Sequence, residues 1–169
     1  HAHGASGIVD AANAGVASIE HGSLVDDAGI AAMKANGTFM VPTLYALDFI
    51  IDEGAENGVP QYGIDKAIAI ADAQRRQLRR AYQEGVRFAY GTDAAVFPHG
   101  RNARDVGILV EELGVPPLEA IKMATADAAE LIGIEDHVGT LMVNKWADLI
   151  AVEGNPLEDI RVLEDGVRF

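Results

Sequence analysis

The sequence predicts an α/β protein built on a parallel sheet, and three observations carry that prediction. A unit of helix, glycine and short apolar strand recurs along the first two thirds of the chain. Each strand stops at a polar residue or a proline. The loops that follow the strands hold histidines and one aspartate, Asp93. Glycine just past a helix supplies a left-handed backbone position at no steric cost, and β-rich runs alternating with helices are the pattern of βα units.

The chain opens with His1-Ala2-His3-Gly4, which reads as the end of a strand. Ile8 to Ala14 follows as a helix closed by Gly15, and Val16 to Ile19 as the strand running into Glu20-His21-Gly22. In the second unit, Ile30 to Asn36 carries Ile30 and Met33 on one face and closes at Gly37. Thr38 to Val41 then forms the strand, stopped by Pro42. In the third, Ile64 to Glu84 closes at Gly85, and Val86 to Tyr90 leads into Gly91-Thr92-Asp93. Loops of one polarity, all following strands, place the histidines and Asp93 together at the carboxyl edge of the sheet, where such proteins carry their sites.

Residues 45–63 interrupt this rhythm. With Gly54, Gly58, Pro60 and Gly63, the stretch is too long for an ordinary connection and reads as a lid or substrate loop. The helix after it sets Ile64, Ala67, Ile68, Ala71, Leu78, Ala81 and Tyr82 opposite Arg75, Arg76, Arg79 and Arg80, a cluster read as a solvated face rather than an anion site. Asn102 can cap a further helix with Val106, Leu109, Val110 and Leu113 as its buried stripe. Pro116-Pro117 starts another. From Gly133 onward the texture becomes that of an all-β tail, with Asp165-Gly166 as a hairpin turn, too short to stand as an independent sandwich and in need of strands from elsewhere.

A chain of 169 residues, 49% of them hydrophobic, can bury one sizeable core. Its formal charge of −13 argues against nucleic acid or an anionic membrane as partner, since both need clustered lysine and arginine. The absence of cysteine excludes disulfides, thiolate metal sites and a cysteine nucleophile, so any metal must be held by His, Asp or Glu. No apolar run approaches the roughly 20 residues of a membrane span. No signal peptide is visible, but a start at His1 instead of Met points to the middle of a longer protein, so the compartment stays open, with the cytoplasm expected ahead of secretion.

Histidine and aspartate at successive strand ends suit a hydrolytic metal centre. Hydrolysis of an amide-like bond at neutral pH needs a hydroxide and a proton for the leaving nitrogen, and a divalent metal provides the first by lowering the pKa of water. A carboxylate touching both metal and water can manage the proton, the role expected of Asp93. His21 can also be read as a core histidine and Asp93 as a turn former, but three strand ends in one register favour the metal-centre reading.

The segments His1-Ala2-His3-Gly4, Ser18-Ile19-Glu20-His21-Gly22, Val41-Pro42-Thr43, Tyr90-Gly91-Thr92-Asp93, Pro98-His99-Gly100 and Lys145 to Val152 resemble the amidohydrolase superfamily, in the right order and over essentially the whole chain. The nearest branch is the one holding imidazolonepropionase and the prolidase-like Xaa-Pro dipeptidases. The resemblance implies the C-terminal half, strands five to eight, of a metal-dependent-hydrolase TIM-like (β/α)8 barrel over residues 1–135, and part of a flanking β-sandwich over 136–169. It implies a divalent metal, zinc first among candidates and one or two ions, held by His1, His21 and Asp93. His3, Tyr45 and His99 are the expected substrate contacts.

The implied activity is hydrolysis of carbon–nitrogen bonds in small substrates, cyclic amides or dipeptides. The implied partners are that substrate and the missing N-terminal half of the barrel; a homo-oligomer is left open. The family's early His-x-His pair and bridging lysine are not found in this chain, so the isolated fragment is expected to be inactive. Two alternatives stay open: a non-catalytic barrel used for binding or assembly, and a related metal barrel acting on phosphotriesters or deaminating bases.

Overall fold

The computed structural model of the chain describes residues 1–164; the expected Asp165-Gly166 turn lies outside them. The elements run α1 (Ala5–Asn13), β1 (Ser18–Glu20), α2 (Asp27–Asn36), β2 (Phe39–Val41), α3 (Leu44–Asp52), α4 (Gln61–Gln83), α5 (Arg104–Glu111), α6 (Pro117–Lys122) and α7 (Ala128–Leu131). A π-helical turn, Met123–Asp127, joins α6 to α7, and a 3₁₀ turn covers Ile160–Leu163.

Strands β1 and β2 pair in parallel with Ser18 opposite Phe39 and Glu20 opposite Val41. Single parallel bridges continue the sheet on both sides, Ala2 to His21 and Met40 to Phe88. The bridge bonds are regular: Ala2 N donates to Glu20 O at 3.2 Å, and Ala89 N to Met40 O at 3.0 Å. Four extended segments thus lie side by side in chain order, as right-handed βα units require.

The helices lie where the repeat places them, with local reasons for their ends. Asp26 caps α2 by accepting from Gly29 N at 2.9 Å, and Gly37 ends it in the left-handed region at φ 67°. The main core joins Ile8 and Ala12 of α1, Ile19 of β1, Ile30 and Met33 of α2, Met40 of β2, and Leu78 and Ala81 of α4, all nearly inaccessible. The α5 stripe of Val106 and Leu109, with Leu113, packs into the same cluster.

Four expectations require correction. Residues 45–63 are not one open loop, because α3 occupies the first half and buries Leu44, Tyr45, Ala46 and Phe49. Asn102 does not cap α5; its side-chain Oδ1 accepts from Gly100 N and its side-chain Nδ2 donates to Thr92 Oγ1, tying the loop around Asp93 onto itself. Arg75 is not solvated: its side chain is 14% exposed and paired with Asp48 and Glu112. Finally, residues 136–164 form no strand among the described residues. The β-rich runs there find no neighbouring strand to pair with, and an unpaired strand leaves its backbone groups unsatisfied.

Candidate metal centre

The strand ends meet at the carboxyl edge of the sheet. His1 and His3 flank the bridge residue Ala2, His21 follows β1, Thr43 follows β2, and Asp93 follows the segment bridged at Phe88. The backbone is unusual at three of these positions: His21, Thr43 and Asp93 have φ of 72°, 46° and 57°. Non-glycine residues seldom enter the left-handed region, which costs on the order of 1–3 kcal/mol, and such residues gather where geometry is needed for function.

His1 Nδ1 and His21 Nε2 lie 3.0 Å apart. Two nitrogens at zinc–nitrogen bond lengths on a tetrahedral ion are separated by about 3.3 Å, so the pair already has close to the spacing of two ligands. His21 Nδ1 is 2.8 Å from Thr43 Oγ1. A hydrogen on Nδ1 donated to that hydroxyl leaves the Nε2 lone pair directed at His1, the support that a metal-ligating imidazole ordinarily receives from a neighbour. Burial holds the His21 pKa below its ordinary value, helped by His3, against the opposing pull of the Asp93 carboxylate. A neutral imidazole is the form that binds metal.

The sequence-predicted residues are brought together unequally. His1, His3 and His21 form one cluster: the His3 ring stacks on that of His21 with centroids 4.6 Å apart and 3° between planes. Asp93 is exposed and lies near enough to His21 for its charge to be felt there, but among the described residues no three His, Asp or Glu side chains close into a ready ligand set. Two imidazoles with a carboxylate nearby fit a divalent ion, and they leave the rest of the coordination sphere to other donors.

Tyr45 is 4% exposed, with its ring against Phe49 and Phe97. Its hydroxyl accepts from Arg104 Nη1 at 3.1 Å and Arg101 Nη1 at 3.3 Å. His99 is exposed on the loop after Asp93.

Sequence reasoning missed the residues behind the cluster. Thr43 supports His21, and Asp105 of α5 takes over the cap that Thr43 would give α3, accepting from Tyr45 N at 2.8 Å. Ser23, 1% exposed, meets His3 Nδ1 at 2.9 Å, with Gln74 and Arg75 of α4 behind it. One signal for Gln74 and Arg75 was present: they fall between Ala71 and Leu78, where the apolar stripe of α4 should continue.

Comparison with known proteins bears on this arrangement. A model described as "Amidohydrolase family" matches residues 1–168. Ochratoxinase of Aspergillus niger is 38% identical over 166 residues, which is 98% of this chain and 34% of that protein; its crystal structure superposes with a TM-score of 0.83. A crystal structure of a Xaa-Pro dipeptidase with bound methionine in the active site is 44% identical, with a TM-score of 0.90 over 97% of this chain and 40% of that one. Imidazolonepropionase of Shewanella baltica is 29% identical over 143 residues, 82% of this chain and 29% of that protein. The chain thus spans well under half the length of the relatives it matches, as a part of a TIM-type hydrolase barrel does.

Proposed function

This chain belongs to the amidohydrolase family, and from that premise we propose that it supplies half of the metal centre of an enzyme that hydrolyses a carbon–nitrogen bond in a small substrate, a dipeptide before a cyclic amide. The observation that carries the reading is the 3.0 Å approach of His1 Nδ1 to His21 Nε2, with His21 fixed from behind by Thr43. The dipeptide preference is supported by the Xaa-Pro dipeptidase likeness at 44% identity. On this reading residues 1–135 are the barrel portion and 136–169 belong to the flanking sandwich, with the remaining strands supplied by a longer protein.

His1 and His21 would hold the ion, zinc by the chemistry of its donors, and Asp93 would join them. When bound, the ion supplies a Lewis acid for the substrate carbonyl and lowers the pKa of water. The chain's own residues do the rest. His21, half-buried and with its pKa held below the ordinary value, keeps a lone pair for the ion while Thr43 holds its other nitrogen. Asp93 takes the proton of the attacking water and returns it to the departing nitrogen, so that the amine leaves neutral. His3, beside His21, faces the substrate. Tyr45 could contribute only its hydroxyl, because its ring is committed to Phe49 and Phe97.

Asp93→Asn in a full-length protein containing this chain tests the assignment. The amide cannot accept the proton, and dipeptide kcat is expected to fall by about 10²–10⁴-fold with the thermal unfolding profile retained. Unchanged turnover would dismiss the role.

A further inference from the structure

The two histidines of the opening tetrapeptide are held differently. His1 meets His21 nitrogen to nitrogen with the rings tilted by 47°, whereas His3 lies flat against it and turns Nδ1 to Ser23 Oγ at 2.9 Å. Gln74 Nε2 reaches the same oxygen at 3.3 Å, and Arg75 Nη1 reaches Gln74 Oε1 at 3.1 Å. Ser23 and Gln74 are 1% and 2% exposed, so water does not offer them substitutes. Arg75 is itself anchored by Asp48 of α3 and by Glu112.

This row of groups has a direction. A guanidinium only donates, so the part of Gln74 that faces Arg75 must be its carbonyl oxygen, and the orientation of the amide follows. The amide nitrogen then faces Ser23, whose oxygen must accept. The Ser23 hydrogen remains, and His3 Nδ1 is the acceptor within reach. A neutral imidazole that accepts at Nδ1 carries its hydrogen on Nε2. Among the described residues no hydrogen bond occupies that Nε2.

We propose that Arg75, Gln74 and Ser23 are positioning residues that hold His3 in its Nε2–H form, so that His3 presents a hydrogen-bond donor to an oxygen of the amide substrate beside His21. The substrate contact rests on the function proposed above; the tautomer does not. A Gln74 that merely satisfied its own buried amide would impose no tautomer on His3.

The test is ¹⁵N NMR of histidine-labelled full-length protein containing this chain, above the ordinary imidazole titration range, with the His3 signals assigned by their loss in His3→Gln. The unsubstituted protein is expected to show an unprotonated Nδ1 and a protonated Nε2 at His3. Gln74→Glu turns the donor facing Ser23 into an acceptor; Ser23 then donates to the new carboxylate, and the His3 tautomer reverses, with kcat/KM falling at least tenfold. Ser23→Ala removes one hydroxyl and is expected to leave a mixture of both tautomers, and it decides the matter if Gln74→Glu does not fold. A hydrogen on Nδ1 in the unsubstituted protein, or a tautomer indifferent to Ser23→Ala, would overturn the relay. A reversed tautomer with unchanged kcat/KM would overturn the substrate contact alone. Failure to hydrolyse dipeptides at all would instead count against the proposed function while the spectra still judged the relay.

Discussion

Thr43 sits where a helix ordinarily takes its cap, yet its hydroxyl goes to His21 instead of to α3. That diversion ties a backbone in the left-handed region to the imidazole expected to hold an ion. Loss of a supporting partner behind a metal-ligating histidine typically costs about 10–100-fold in metal affinity. Thr43→Val keeps the shape and removes the hydroxyl, so the zinc affinity of the full-length protein, measured by chelator competition, is expected to fall by about that factor. Equal affinity would mean that Thr43 does not orient His21. At this scale residue type and position at strand ends singled out His1, His3, His21 and Asp93 as candidates, and the structure brings the three histidines together. The sequence did not show Thr43, Ser23 or Gln74, because a hydroxyl or an amide becomes part of a site only through a neighbour distant in the chain.

Among the elements, α3 is the one most dependent on others. Its N-terminus is held by the Asp105 carboxylate of α5, and Arg75 of α4 grips Asp48 along its flank. Asp105 is 2% exposed, and its Oδ2 has no hydrogen-bond partner among the described residues. Burial pushes its pKa up to about 7, against the lowering effect of the α3 backbone amides and of Arg75. An unfolded aspartate titrates near about 4, so between about pH 4 and 7 the folded chain binds the extra proton and its stability falls as pH rises. Asp105→Asn keeps an acceptor for Tyr45 N and should flatten that slope, which urea unfolding midpoints across the window will show. A slope that persists in the variant would place its origin elsewhere.

The α3 helix was hidden from sequence reading because turn signals from Gly54 to Gly63 outweighed the nine-residue, mostly apolar stretch Leu44–Asp52 before them. Arg75 was hidden by its neighbours. With Arg76, Arg79 and Arg80 it makes a basic run, and only packing against α3 and Glu112 singles it out.

On the scale of the whole molecule, four parallel extended segments make an arc of sheet, and closure of a (β/α)8 barrel needs eight. The βα repeat was legible because helix periodicity and glycine stops are local properties. The tail was not, because a strand is defined by its partner. Within it Leu141, Met142, Val143, Trp146, Leu149 and Ile150 are at least 60% exposed, an apolar run of the kind that another part of a fold ordinarily covers. The 169-residue chain purified alone is therefore expected to bind apolar dyes and to show no dipeptide turnover. Turnover by the chain alone would contradict the reading that it holds only half the centre.

The central claim is that the imidazoles of His1 and His21 share one divalent ion. Crystals of a full-length protein containing this chain, grown with zinc and measured at the zinc absorption edge, test it most directly. An anomalous peak is expected about 2.0–2.1 Å from both His1 Nδ1 and His21 Nε2, with the Asp93 carboxylate turned toward it. A zinc peak bound elsewhere, with His1 and His21 still hydrogen-bonded to each other, would contradict it.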